Sequence, residues 1–154
     1  MDLYFRPVNT NDEADLFTVK NFLDDTKSIT ETFLTDEELN SYYSAIKKRQ
    51  ERNDRFCVFA LHDKKIIGLV DAFPMPKNIH IGFISFVYLI PEYRGKSVGK
   101  ILEQYAIDLL NQNHCSHMEL DVSEKNIAAL QFYKKNDWKF VSLRNGFFRM
   151  KKCL

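Results

Sequence analysis

The chain has 154 residues, 45% hydrophobic and 14% aromatic, which is the size of one domain (1–154) with a real core and excludes a need for a second. Lys and Arg number 22 against 21 Asp and Glu, and a formal charge of +1 excludes a general nucleic-acid binder that works through a basic face. No run reaches the roughly 20 apolar residues of a membrane span and Met1 to Thr10 carries no apolar segment behind a basic start, so a cytoplasmic protein without membrane or nucleic-acid partners is expected.

In chain order, Leu3 to Val8 alternates weakly as a first strand, closed by Pro7 and the polar residues 9–13. Ala14, Leu16, Phe17, Val19, Phe22 and Leu23 then have helical spacing. A second helix opens with a capping box, Thr35 and Glu38, ahead of Leu39, Tyr42, Tyr43 and Ile46, and fades in the charged run 47–55. Arg55 to Leu61 and Lys65 to Phe73 flank His62-Asp63-Lys64 as an antiparallel hairpin, which Pro74 and Pro76 are expected to end. After a loop from Met75 to Asn78, the run Ile79 to Ile90 completes a meander and stops at Pro91.

Val98, Ile101, Leu102, Tyr105, Ala106, Leu109 and Leu110 place one apolar stripe on a helix that starts near Ser97. Met118 to Val122 is a further strand, and 126–135 a helix with Asn126 as its N-cap. Trp138 to Leu143 and Phe147 to Lys151 form a closing hairpin about Arg144-Asn145-Gly146. Strand, two helices, three strands, helix, strand, helix and two strands make an α/β chain with a mixed sheet.

Cys57, Cys115 and Cys153 are odd in number and lack C-x-x-C spacing, which predicts free thiols and no metal. His114 and His117 beside Cys115 read as the surface of a polar helix-to-strand loop.

The stretch Arg94-Gly95-Lys96-Ser97-Val98-Gly99-Lys100 joins a strand to a helix N-terminus, where free amides and the helix dipole favour an anion. A nucleotide-triphosphate loop would need a glycine where Ile90 stands, and Gly95 and Gly99 do not fit G-x-G-x-x-G. The loop resembles instead the R/Q-x-x-G-x-G/A pyrophosphate loop of the GNAT superfamily of acetyl-CoA-dependent N-acetyltransferases. Arg94 and Gly99 match its ends, and Ser97 replaces its first glycine. Residues 126–138 resemble the second family motif, N-x-x-A-x-x-F-Y-x-K-x-G-F, with Asn126, Ala129, Phe132, Tyr133 and Lys135 in place and Asp137 and Trp138 replacing its glycine and phenylalanine. An Asn136-Asp137 pair is still able to hold the left-handed turn at a helix end.

The resemblance covers the whole length and implies a GNAT-like α/β domain, a mixed and mostly antiparallel sheet of six or seven strands with about four helices. It implies acetyl transfer from acetyl-CoA to an amine, without a metal. By the same resemblance Val87, Tyr88 and Leu89 would hold the pantetheine through their backbone, and Arg94, Gly95, Lys96, Ser97, Val98, Gly99 and Lys100 the pyrophosphate. Asn126 would touch the pantetheine, and Tyr133 would protonate the departing thiolate. For the base, several family members use a glutamate where this chain has about Ser85. Asp71, inside the apolar run Ile66 to Phe73, is the oddest carboxylate in the chain and a candidate base or amine anchor; Glu92, His80 or a water chain are the alternatives, as is an Asp71 that merely faces solvent at an edge.

The acceptor, a small-molecule or peptide amine, would meet the N-terminal helices, where Asp24, Asp25, Glu31, Asp36, Glu37 and Glu38 stand among Phe22, Phe33, Tyr42 and Tyr43. Those acids read more simply as a solvated face. The closing hairpin is placed to pair across a homodimer. Two other readings stay open: a non-catalytic acyl-CoA sensor of the same fold, and an unrelated phosphate-binding α/β enzyme.

Overall fold

Among the described residues, three of the four α-helices carry their start in a side chain. Asp12 accepts from the Ala14 amide, Thr35 and Glu38 cap each other reciprocally, and Asn126 accepts from the Ala129 amide. In the computed structural model, which describes residues 1–31 and 34–154, the chain runs β1 (Tyr4–Pro7), α1 (Glu13–Thr30), α2 (Asp36–Arg52), β2 (Cys57–His62), β3 (Lys65–Met75), β4 (Asn78–Leu89) and α3 (Val98–Gln112). It ends with β5 (His117–Ser123), α4 (Ile127–Lys135), β6 (Lys139–Arg144) and β7 (Phe147–Cys153). The strands form one sheet in the order β1-β2-β3-β4-β5-β7-β6, antiparallel throughout except for β4 with β5. The expected α/β class, its mixed and mostly antiparallel sheet and its four helices are all present.

Three boundaries differ from the periodicity. Helix α1 continues past Leu23 to Thr30, its polar end braced by Lys20 and Lys27 on Asp24, until Glu31 turns left-handed at φ 55°. Pro74 does not end β3, because the pairing with β4 shifts between Pro74 and Met75 and the missing N–H falls at that irregularity. Trp138, expected as the first residue of the closing hairpin, is buried in the turn ahead of β6.

The sheet divides two cores. On one face Val19 and Phe22 of α1 and Ile46 of α2 pack on Cys57, Phe59, Leu69 and Tyr88. On the other, Leu102, Ala106 and Leu110 of α3 pack with Leu130 and Trp138 on Val58, Ile67, Val70 and Ile84. Each fully buried Leu, Ile or Phe here contributes about 1.5–3 kcal/mol. Helix α3 lies very close to β4: a Cβ at Gly82 would stand 2.5 Å from Cδ1 of Leu110.

One irregularity in this sheet makes the site. Strand β4 pairs with β5 only from Ile81 to Ile84, opposite His117 to Leu120. Beyond that point β4 runs on beside β3 alone and β5 beside β7 alone, so a wedge opens between them. At its apex the β3–β4 register slips, with Ser85 the extra residue between the pairs Asp71–Phe86 and Ala72–Ile84. A bulge there bends β4 away from its parallel neighbour.

Candidate active site

A cavity of about 370 Å³ fills the wedge, walled by residues 84–87 of β4 and 120–123 of β5, with Thr26 of α1, Asn126 and Tyr133 closing it. Which backbone groups of β4 reach it follows from one hydrogen bond. The Ile90 amide donates to the Ile67 carbonyl at 2.8 Å, so Ile90 faces β3. Backbone groups alternate along a strand, and Phe86 and Tyr88 face β3 as well, leaving Val87 and Leu89 to the open side.

This corrects the expectation for Tyr88. Its backbone is turned inward and its side chain is only 7% exposed, stacked on Phe22 at 4.3 Å, with the hydroxyl donating to Asp25 at 2.6 Å. Burial, then that hydrogen bond, push the Tyr88 phenol far above its ordinary range.

The loop after β4 turns into α3 through two left-handed residues. Gly95 and Ser97 are both left-handed, at φ 72° and 65°, and Ser97 makes no capping bond to the first turn of α3. Without a side-chain cap, the first-turn amides of α3 are left for another acceptor. Val98 buries its side chain in the core and contributes only its amide, while Lys96 and Lys100 are exposed beside the loop. Arg94 departs from expectation. Its Nε donates to the Leu89 carbonyl at 2.7 Å and its Nη2 to Asp25 at 2.9 Å, so the guanidinium ties α1 to the end of β4 instead of standing free over the loop.

The two sequence motifs touch. A Cβ at Gly99 would meet Cε2 of Phe132 at 3.1 Å, so the absence of a side chain lets α4 pack against the loop. Asn126 lines the cavity while its oxygen caps α4. At the other end of α4, Asp137 takes the left-handed position at φ 68°, as the sequence allowed, and the Trp138 amide reaches the Tyr133 carbonyl at 3.0 Å. Tyr133 packs edge-on against Trp138, 5.4 Å between centroids, and lines the cavity. Burial, then the charge of Glu103, push its phenol up to about 12, so the hydroxyl keeps its proton at neutral pH. Glu103 is fixed by Trp138 Nε1 at 2.9 Å and Lys152 Nζ at 3.0 Å.

A second cavity, about 520 Å³, opens between α1, α2 and β4, with Glu37, Glu38, Ser41 and Tyr42 on its α2 wall. It shares Leu23, Leu34, Ser85 and Phe86 with the wedge, so the two spaces meet at the bulge. Asp71 neither faces solvent at an edge nor lines either space. Fully buried on β3, it takes hydrogen bonds at 2.7 Å on Oδ2 from Tyr42 Oη and from Arg49 Nη2. Burial holds its pKa above the ordinary value, with Arg49, Tyr42 and Ser85 pulling the other way. Glu92 and His80, the other expected bases, do not wall either cavity.

The acidic residues expected near an acceptor separate. Asp24 is held by Lys20 and Lys27, Asp25 by Tyr88 and Arg94, and Glu31 by Lys125, leaving Glu37 and Glu38 at the cavity. Phe33 lies outside the described residues. Sequence reasoning missed the pairing of Tyr42 with Asp71, 29 positions away. The one signal was the carboxylate inside an apolar run.

The wedge fits a pantetheine arm: an edge of β4 unpaired beyond Ile84 leads along the chain to the uncapped first turn of α3. Residues 20–138 match the Acetyltransferase (GNAT) family. N-alpha-acetyltransferase 30 of Saccharomyces cerevisiae is 25% identical over 161 residues, covering 99% of this chain and 80% of its own. In fold, the chain is similar to the PaiA N-acetyltransferase of Thermoplasma acidophilum in complex with coenzyme A (TM-score 0.73, 20% identity, 100% of both chains). It is similar also to the NatC complex bound to Gag peptide and CoA (TM-score 0.72, 20% identity, 100% of this chain and 99% of that one). With 20–138 matched inside a wedge-split sheet, the chain belongs to the Acetyltransferase (GNAT) family and is an acyltransferase.

Proposed function

We propose that this chain moves an acetyl group from acetyl-CoA to a primary amine of a small molecule or peptide by direct attack while both are bound. The observation that carries this reading is the junction at Ser85 and Phe86, where a donor-shaped wedge and a separate acidic, aromatic cavity share a wall. Acetyl-CoA supplies an acyl group already activated as a thioester.

The amides of 95–100 hold the pyrophosphate, with Lys96 and Lys100 adding charge. Val87 and Leu89 offer backbone donors to the pantetheine in the manner of an added strand, and the Asn126 side chain touches it. A β4 amide near the bulge polarises the acyl oxygen. Tyr133, neutral until about pH 12, gives its proton to the departing sulfur. Glu37 and Glu38 favour a cationic acceptor. Peptide α-amines come first among acceptors because a relative is named as an N-alpha-acetyltransferase.

Calorimetric titration with CoA and ATP, followed by thiol-release assays over a panel of amines, tests the reading. CoA preference and amine-dependent release are expected. CoA binding with no release for any amine would make the chain a sensor, and ATP preference would end the proposal.

A further inference from the structure

Removing a proton from the acceptor amine is the one step for which no group has been placed, and the second cavity holds a device for it. Tyr42 lines that cavity and donates its hydroxyl hydrogen to Oδ2 of Asp71 at 2.7 Å. Behind it Asp71 is fully buried, and although Ser85 lies close, Oδ1 has no hydrogen-bond partner. Arg49 holds Oδ2 at 2.7 Å while its own Nε is also buried and unpaired, over the ring of Phe73 at 4.1 Å. A buried carboxylate with one oxygen unsatisfied is costly and is retained where it has a task.

We propose that Tyr42 is the catalytic residue that takes the proton of the acceptor amine and relays it to Asp71, with Arg49 as the positioning residue of the pair. An N–H bond of the bound ammonium breaks with its electron pair left on nitrogen, and that proton goes to a lone pair of Tyr42 Oη. Oη in turn passes its original hydrogen to Asp71 Oδ2. The amine becomes a neutral nucleophile, Tyr42 is unchanged, and Asp71 becomes a neutral acid.

The raised Asp71 pKa makes it a better proton acceptor than an ordinary carboxylate, and burial together with the Asp71 charge keeps Tyr42 from ionising instead. The titratable and charged groups facing the pair are Arg49 on α2 and Cys57 on β2, with Glu37 and Glu38 on the α2 wall of the cavity; β4 presents only Ser85. Tyr133 on the opposite side of the bulge then serves the sulfur, and Tyr42 the nitrogen. The relay rests on the acetyl-transfer reading above.

The test is kcat/KM against pH for the full chain and for Tyr42→Phe, with acetyl-CoA and a panel of acceptors: an unblocked tripeptide amide, spermidine, lysine methyl ester and methoxyamine, the last largely neutral at pH 7. Tyr42→Phe is expected to lose about 100-fold with the basic amines at pH 7. It should recover about tenfold per pH unit as the amine deprotonates in solution, and lose little with methoxyamine. The KM for acetyl-CoA should not move.

Asp71→Asn combined with Tyr42→Phe should be no slower than the worse single variant. If Asp71→Asn does not fold, the Tyr42→Phe profile decides alone. A loss that is equal at every pH and for methoxyamine, or no loss, overturns the relay. No turnover by the unaltered chain despite CoA binding overturns the relay and the acetyl-transfer reading together, whereas turnover that Tyr42→Phe leaves intact overturns the relay alone.

Discussion

The two sides of the bulge are built from different materials. On the wedge side the available groups are backbone: the edge of β4 at Val87 and Leu89 and the amides of 95–100, with Gly95 left-handed at φ 72° and Gly99 where a side chain would meet Phe132. On the other side they are side chains from distant parts of the chain, Tyr42 and Arg49 from α2 and Asp71 from β3, meeting in one hydrogen-bonded group. A backbone site tolerates changes of side chain but needs its conformation; a side-chain site needs each group and its burial. Substitutions on the two sides should therefore fail in different ways.

The largest effect is expected from Tyr133→Phe, which keeps the packing on Trp138 and removes the hydroxyl proposed to protonate the sulfur. Thiol release should fall about 10²–10⁴-fold while CoA affinity measured by calorimetry stays the same. Next comes Arg49→Met on the acceptor side. It leaves Asp71 buried without its cation, and urea unfolding should show a loss of about 3 kcal/mol with CoA binding retained by the folded fraction.

Gly99→Val sharpens the contrast from the wedge side. Its Cβ already meets Phe132 at 3.1 Å, so the loop and α4 must separate, and the CoA dissociation constant should rise about tenfold. A smaller gain is expected from Asp137→Gly, which relieves a left-handed non-glycine residue and should raise stability by about 0.5 kcal/mol in thermal melts.

The smallest effect concerns acid. The Tyr88 hydroxyl, then the Arg94 guanidinium, hold the Asp25 pKa below its ordinary value against the opposing effect of burial. Its contribution is complete above the unfolded carboxylate value near about 3.9 and is lost as pH falls through the lower folded value. Melting temperatures of Asp25→Asn and the unaltered chain should therefore converge below about pH 4 and differ above it.

The same division explains what could be read from the residues alone. The order of elements was visible because apolar period and caps are local, and the capping box Thr35–Glu38 stands where its spacing says. The pyrophosphate loop and the Asn126 to Trp138 motif were visible because a backbone site is contiguous in sequence. The inward turn of the Tyr88 backbone depends on the register with β3, which no residue type encodes. Arg94 looked free because its partner Asp25 is 69 positions away on α1. Asp71 stood out as an anomaly, but its partners Tyr42 and Arg49 lay on a helix that showed only an ordinary stripe and a charged end.

Amide hydrogen exchange resolved residue by residue, with and without CoA, tests the central claim most directly. The account predicts that CoA slows exchange at Val87, Leu89 and the amides of 98–100, while Tyr88, already bonded to β3, does not change. If Val87 and Leu89 exchange at the same rate with CoA bound, or if protection falls at Tyr88 instead, the open edge of β4 is not the donor site.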